Sequence, residues 1–225
     1  LLIAREAMLI SFIEYYEAKF GKQPMLKSIN YIAYIISWNV WQMDGLKGVV
    51  PDSCTDKVEI EKYHEGLICS SACLGGEIPQ LILSGDLAKA EAAVMWYKNL
   101  FGEDYYLEVQ LHKTEIPGYA EDVYEQQVIV NKAIFELAQE CGVKVIATND
   151  VHFTRKEDGP AHDRLICLTT NANYDDVKRL RYTQQEYLKT EEEMAALFPD
   201  HPEVISNTIE IADKIEKYKI DCDHI

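Results

Sequence analysis

Val143-Lys144-Val145-Ile146-Ala147-Thr148, followed directly by Asn149-Asp150-Val151-His152-Phe153, is the stretch that decides the fold class. Residues 143–148 form an apolar strand of the kind found in parallel sheets covered on both faces. Upstream, residues 122–141 read as a long helix stopped by Gly142, and Tyr105 to Leu111 (YYLEVQL) alternates like a strand. Before that, residues 86–101 form an amphipathic helix, capped by Ser84 or Asp86 and ended by Gly102. Gly66 to Ser70 is a short buried-strand candidate that runs into the small-residue turn SSACLGGE, residues 70–77, and a short helix over 78–83. Glu59 to His64 is a short helical turn. Downstream, residues 158–169 are helical, Thr190 to Glu193 is a capping box, and residues 202–217 form the last helix. Strands alternating with helices imply βαβ units and a parallel sheet or barrel. At the other end, residues 1–20 have helical spacing with Gly21 as a stop. Residues 28–41 are aromatic and apolar without a clean period, and residues 44–57 read as a loop.

Composition narrows the class. The chain has 225 residues, 38 Asp+Glu against 22 Lys+Arg, a formal net charge of −16 and 48% hydrophobic residues. That is enough for one large or two small domains with a real core. The acidic balance excludes a free-standing nucleic-acid binder, which needs basic surface to displace counterions. An acidic metal site, or a domain docked on a basic partner, remains compatible. Cysteines stand at 54, 69, 73, 141, 167 and 222 with no CxxC pair, so neither a zinc finger nor a disulfide framework is expected. The compartment expected is reducing and cytoplasmic. No apolar run reaches the roughly 18 residues of a membrane span. Arg5, Glu6 and Glu14 argue against a signal peptide, and a start at Leu1 suggests a fragment.

In parallel α/β folds, sites form where strands end. Three strands end here at Cys73, at His112 and at Asn149-Asp150-Val151-His152. Asp150 and His152, two apart in an extended segment, point the same way. They suit a divalent metal or a base with its orienting partner, and the bland alternative is a turn Asp beside an incidental surface His. Cys73 is either a thiolate ligand or a small buried hydrophobe. Gly75-Gly76 either shapes a phosphate loop or simply makes a turn, and Glu77 is either site-lining or a first-turn helix acid. His112, beside Lys113, is expected at the solvent surface, with ligation the lesser reading. His64, His162, His201 and His224 receive no role. There is no G-x-S-x-G elbow, P-loop or G-x-G-x-x-G turn.

Several stretches taken together resemble one family. They are EKYHEGLI (61–68), SSACLGGEIPQLILSGD (70–86), WYKNLFGEDYYLEVQLH (96–112), VIATNDVHF (145–153) and AHDRLICL (161–168). Their order and spacing resemble the PHP domain of the bacterial replicative DNA polymerase III alpha subunit. RLRYTQQEYLKTEEEMAALFPDHPEVISNTIEIADKIE (179–216) resembles the segment leading from that domain toward the polymerase body. The resemblance implies a partial (β/α)7 PHP-type barrel of parallel strands over residues 1–175, lacking the N-terminal HxH half of its metal site. A helical connector over 176–225 is implied to follow. It also implies Cys73, Asp150 and His152 as metal ligands; His112, Asn149 and Glu77, at or beside the strand ends, are possible site-lining residues. The metal would be zinc, manganese or iron, with magnesium for the intact polymerase. The implied partners are DNA and deoxynucleotides, through other domains, and the other polymerase subunits. Residues 21–55 match the family poorly, and TTNAN (169–173) replaces a turn that usually carries Gly and Lys. The fragment alone is expected to lack phosphoesterase or 3′-5′ exonuclease activity. Two alternatives stand beside this reading: a separate PHP metal-dependent phosphoesterase, and a decayed scaffold module that docks a proofreading subunit.

Overall fold

A computed structural model describes residues 57–215. The helix expected over 1–20, the aromatic stretch 28–41 and the loop preceding Lys57 lie outside the described residues, as do Cys54, Cys222 and His224. Within 57–215 the elements are α1 (Lys57–Tyr63), β1 (Cys69–Ser70), α2 (Glu77–Leu83), α3 (Leu87–Phe101), β2 (Tyr105–Val109), α4 (Glu121–Cys141), β3 (Lys144–Ala147), α5 (Gly159–Thr170), α6 (Glu191–Leu197) and α7 (Glu203–Lys214). Among the described residues this is a mixed α/β architecture with a parallel three-stranded sheet in the order β1-β2-β3. It is consistent with a partial PHP-type barrel plus helices.

The helices form where the sequence spacing predicts them. Ala90, Ala93, Val94, Tyr97 and Phe101 make the buried face of α3, and the Asp86 side chain accepts the Lys89 N–H at 3.2 Å. This cap satisfies one of the orphan donors of the first turn, a contribution of about 1 kcal/mol. In α4, Val130, Asn131, Ile134, Leu137, Ala138 and Cys141 are buried, and Gly142 closes the helix at φ +64°. Thr190 and Glu193 form the predicted capping box of α6. The strands are shorter than their sequence patterns. β1 keeps only Cys69–Ser70, because Gly66 turns at φ +77° and the Leu67 N–H bonds back to His64 O.

Strand alternation sorts the two faces of the sheet. Tyr105, Leu107 and Val109 enter the main apolar cluster with Val94, Ile134 and Val145. Full burial of a side chain such as Leu107 or Ile134 is worth roughly 2–3 kcal/mol. Tyr106 and Ile146 face the other way and meet Ile211 of α7. Polar contacts hold α7 there: Asn207 Nδ2 donates to Val145 O at 2.8 Å, and Lys144 and Glu210 pair at 2.7 Å. Residues 171–190 cross back over the strand ends. They are tied to α5 by a bidentate pair, with both Arg179 terminal nitrogens 2.6 Å from the Asp163 carboxylate oxygens. No helix of the described residues is long and apolar enough to cross a membrane. Cys69, Cys73, Cys141 and Cys167 are all free thiols.

Candidate functional site

Parallel pairing brings the strand ends to one edge. The Ser71 N–H donates to Tyr106 O at 3.0 Å, and the Thr148 N–H donates to Val109 O at 3.1 Å. Beneath this edge lies a polar layer that sequence reasoning missed. Glu108, only 3% exposed, points away from the apolar cluster. Its Oε2 accepts from Ser70 Oγ at 2.7 Å, and its Oε1 accepts from Gln110 Nε2 at 2.7 Å and from Thr148 Oγ1. Burial pushes the Glu108 carboxyl up, and these three donors oppose that effect. The signal was present in YYLEVQL: alternation puts Tyr106, Glu108 and Gln110 on one face, and a charged residue within an otherwise buried strand must be satisfied there.

Cys73 sits in the turn between β1 and α2. Ala72 before it adopts φ +63°, and Gly76 donates its N–H to Cys73 O at 2.8 Å. A Cβ on Gly76 would lie 2.2 Å from Ser71 O, whereas one on Gly75 would meet only Cys73 Sγ at 3.9 Å. Gly76 is therefore required by close packing of the turn, and its N–H is engaged within that turn. The Cys73 thiol is pushed up to about 12, by burial first and the Asp150 charge second. It borders a recess shared with Glu108, Gln110, Gln127 and Asn131.

The third strand end supplies the acid–imidazole couple. Asp150 Oδ1 lies 3.6 Å from His152 Nε2. The couple does not arise from extended alternation, as the spacing suggested. Asp150 takes φ +41°, a left-handed conformation that short polar side chains tolerate. Burial works to raise the Asp150 carboxyl, but His152, the His112 charge and the Cys73 thiol together hold it below its ordinary value. Thus Cys73 and His152 both act on Asp150. The Asn149 side chain is turned elsewhere: Nδ2 donates to Gln185 O at 2.8 Å and to Tyr187 O at 2.6 Å.

His112 corrects the expectation of solvent exposure: it is 3% exposed. Its place at the end of β2 carries it under the returning segment 183–189. The Gln127 Oε1 accepts the His112 backbone N–H at 2.6 Å, so the Gln127 amide nitrogen faces Nδ1 at 3.0 Å. That amide orientation makes Nδ1 the acceptor and leaves the proton on Nε2, which is buried without a partner. Burial holds the imidazole below its ordinary value, against the charges of Glu186 and Asp150.

Glu186, which no sequence pattern marked, reaches the same place. It is 2% exposed, its Oε1 lies 3.9 Å from His112 Nδ1, and its Oε2 has no hydrogen-bond partner. Lys189 follows, with burial lowering its ammonium to about 8. His162, given no role from its helical context, packs against the site: its ring centroid is 5.6 Å from His152 and 5.3 Å from Tyr182. Glu77 lies apart from these groups. It is paired with Lys57 at 2.7 Å and accepts from Tyr97 Oη at 3.1 Å.

A thiol, a carboxylate and an imidazole are suitable metal donors. Yet no three His, Cys, Asp or Glu side chains among the described residues are arranged to hold a metal ion. The His112 tautomer also offers a donor rather than a lone pair. The described residues therefore do not by themselves complete a metal site.

The family model for the PHP domain matches residues 10–112. That match includes residues 21–55, which the sequence comparison above set apart. Among curated proteins, the chain is 42% identical over 166 residues to the DNA polymerase III subunit alpha of Borreliella burgdorferi, covering 73% of this chain. It is 37% identical over 171 residues to the Treponema pallidum subunit, covering 75% of this chain, and 37% identical over 171 residues to that of Thermus aquaticus, covering 74%. Over residues 10–112 the chain thus matches the PHP domain, and over about three quarters of its length it is similar to bacterial DNA polymerase III alpha subunits. It spans 14% of the length of the first two relatives and 13% of the third.

Proposed function

We propose that the chain is the PHP portion of a replicative DNA polymerase alpha subunit whose other parts carry out DNA-directed DNA synthesis. DNA, deoxynucleotides and the other polymerase subunits would be met through that parent, in the cytoplasm. Within the chain, Cys73, Asp150 and His152 are proposed as protein donors to a zinc, manganese or iron site of phosphoesterase or 3′-5′ exonuclease type. What supports this reading is the 3.6 Å approach of His152 to Asp150 at a strand end, in a chain similar to these subunits. The chain's own residues orient the site. Gln127 holds the His112 ring through Nδ1, and Glu108 organises the polar layer beneath.

The fragment alone is proposed to be catalytically silent. A second reading, a scaffold that docks a proofreading subunit, is favoured by the lack of a metal-holding trio among the described residues. Equilibrium dialysis of the chain with Zn2+ or Mn2+ separates the two. Retention that disappears in Asp150→Asn supports the metal reading, and no retention by the unaltered chain supports the scaffold. Release of 3′-nucleotides from an end-labelled oligonucleotide, with Mn2+ present, is expected to stay at background. Release by the unaltered chain that Asp150→Asn abolishes would overturn the silent assignment.

A further inference from the structure

Asn149 spends its amide on a neighbouring segment instead of on the pocket. Both Nδ2 protons are taken, by Gln185 O at 2.8 Å and Tyr187 O at 2.6 Å, and Oδ1 accepts from Lys189 Nζ at 3.2 Å. The segment 183–189 binds the next residues through its backbone. The His152 N–H donates to Glu186 O at 2.8 Å, and the Leu188 N–H donates to Thr154 O at 3.3 Å. Phe153 and Tyr187 form a parallel bridge. The segment is itself shaped from within. Thr183 donates to Glu186 Oε1 from its N–H at 3.0 Å and its hydroxyl at 2.6 Å, and Gln184 turns at φ +64°.

Asp150 is therefore flanked by two anchored residues, 149 and 152, and its left-handed φ of +41° is held between them. In extended backbone, residues two apart are separated by roughly 6.6 Å along the strand. Across this left-handed turn the Asp150 carboxylate lies 3.6 Å from His152 Nε2. We propose that Asn149 is a positioning residue, which pins the Asp150–His152 turn to the strap 183–189 and so sets the geometry of the acid–imidazole couple. The residue type is specific. Asp would turn a carboxylate oxygen toward the two carbonyls, Gln is one methylene too long, and Ala takes the amide donor from Tyr187 O and leaves Gln185 O only its bond from Lys189.

The inference rests on the reading that this couple serves the pocket, and the test separates the two claims. Amide hydrogen exchange is measured on the full 225-residue chain and on Asn149→Ala and Asn149→Asp, alongside Co2+ binding followed by its absorption spectrum. Both variants are expected to lose at least about tenfold protection at His152 and Leu188, while the β2 and β3 amides keep theirs. Where the unaltered chain binds Co2+, its affinity is expected to fall by about tenfold in both variants, because the loosened turn moves Asp150 away from His152. Unchanged protection at His152 overturns the proposal. If the variants fail to fold, the unaltered chain still decides: slow exchange of the Asn149 side-chain NH2 protons supports the tie, and fast exchange overturns it. An unaltered chain that binds no Co2+ defeats the metal reading, and the exchange data then judge the positioning claim alone.

Discussion

Asp150, itself left-handed at φ +41°, holds its Oδ1 3.6 Å from His152 Nε2. The Asp150 charge is one of the two main forces that keep Cys73 protonated, burial being the larger. Asp150→Asn removes that charge and leaves the burial. The alkylation rate of Cys73 by iodoacetamide at pH 8.5, read by peptide mapping, should rise by roughly threefold or more, because the thiolate is the reactive species. An unchanged or slower rate would show that the carboxylate does not act on the sulfur. The same substitution costs stability above pH 3.8, the ordinary value of Asp150, because the folded-state value is lower still. The cost fades as pH falls through the folded-state value.

Glu108 titrates in the opposite sense. Its folded-state value lies above the ordinary 4.5, so the ionised form is disfavoured in the native state. Its penalty is absent below pH 4.5 and grows as pH rises through the folded-state value. Glu108→Gln should accordingly gain thermal stability relative to the unaltered chain between pH 4 and pH 7. Glu108→Leu should lose about 2–4 kcal/mol at either pH, since it strands Ser70, Gln110 and Thr148 without an acceptor. Melting curves at the two pH values decide, and a pH-independent difference for the Gln variant would refute the assignment.

The two glycines after Cys73 should behave differently. Gly76→Ala places a methyl 2.2 Å from a backbone oxygen, so the turn has to move. Gly75→Ala meets only the Cys73 sulfur at 3.9 Å. Urea titrations should show the first substitution costing more than about 2 kcal/mol and the second less than about 1 kcal/mol. Equal costs would mean that the turn is packed otherwise.

The Arg179–Asp163 pair has side chains 1% and 4% exposed, with two contacts of 2.6 Å. Removing one partner of such a pair leaves a buried charge uncompensated, so Asp163→Asn should cost about 3 kcal/mol. Replacing both residues by apolar ones of similar volume should recover most of that loss. A single-variant cost below about 1 kcal/mol in a denaturant titration would place the pair among weak surface contacts.

The architecture was legible in the sequence because its signals are local. Caps at Asp86 and Thr190, the stop at Gly142 and the apolar period of α3 and α4 all act within a turn or two. Cys73, Asp150 and His152 were singled out because parallel strands must end at one edge, and the structure does set Asp150 and His152 side by side there. His112 was misplaced because a neighbouring Lys113 suggests solvent, whereas its burial comes from Gln127, 15 residues on, and from Glu186, far beyond that. Glu186 lies in the polar run TQQE, and nothing local distinguishes a solvated glutamate from one folded back under a strand end. The Asp150–His152 couple was anticipated with the wrong backbone: the left-handed turn depends on carbonyls more than 30 residues downstream.

The clasp between Asp163 and Arg179, with the strap beyond it, bears on how this polypeptide can be divided for expression or for exchange with a relative. A cut between residues 175 and 176 would part the carboxylate from its guanidinium and strip the Asp150–His152 turn of its outer support. Any transplantable module has to run past Lys189, and grafts that stop short would inherit a misassembled pocket even with every strand in place.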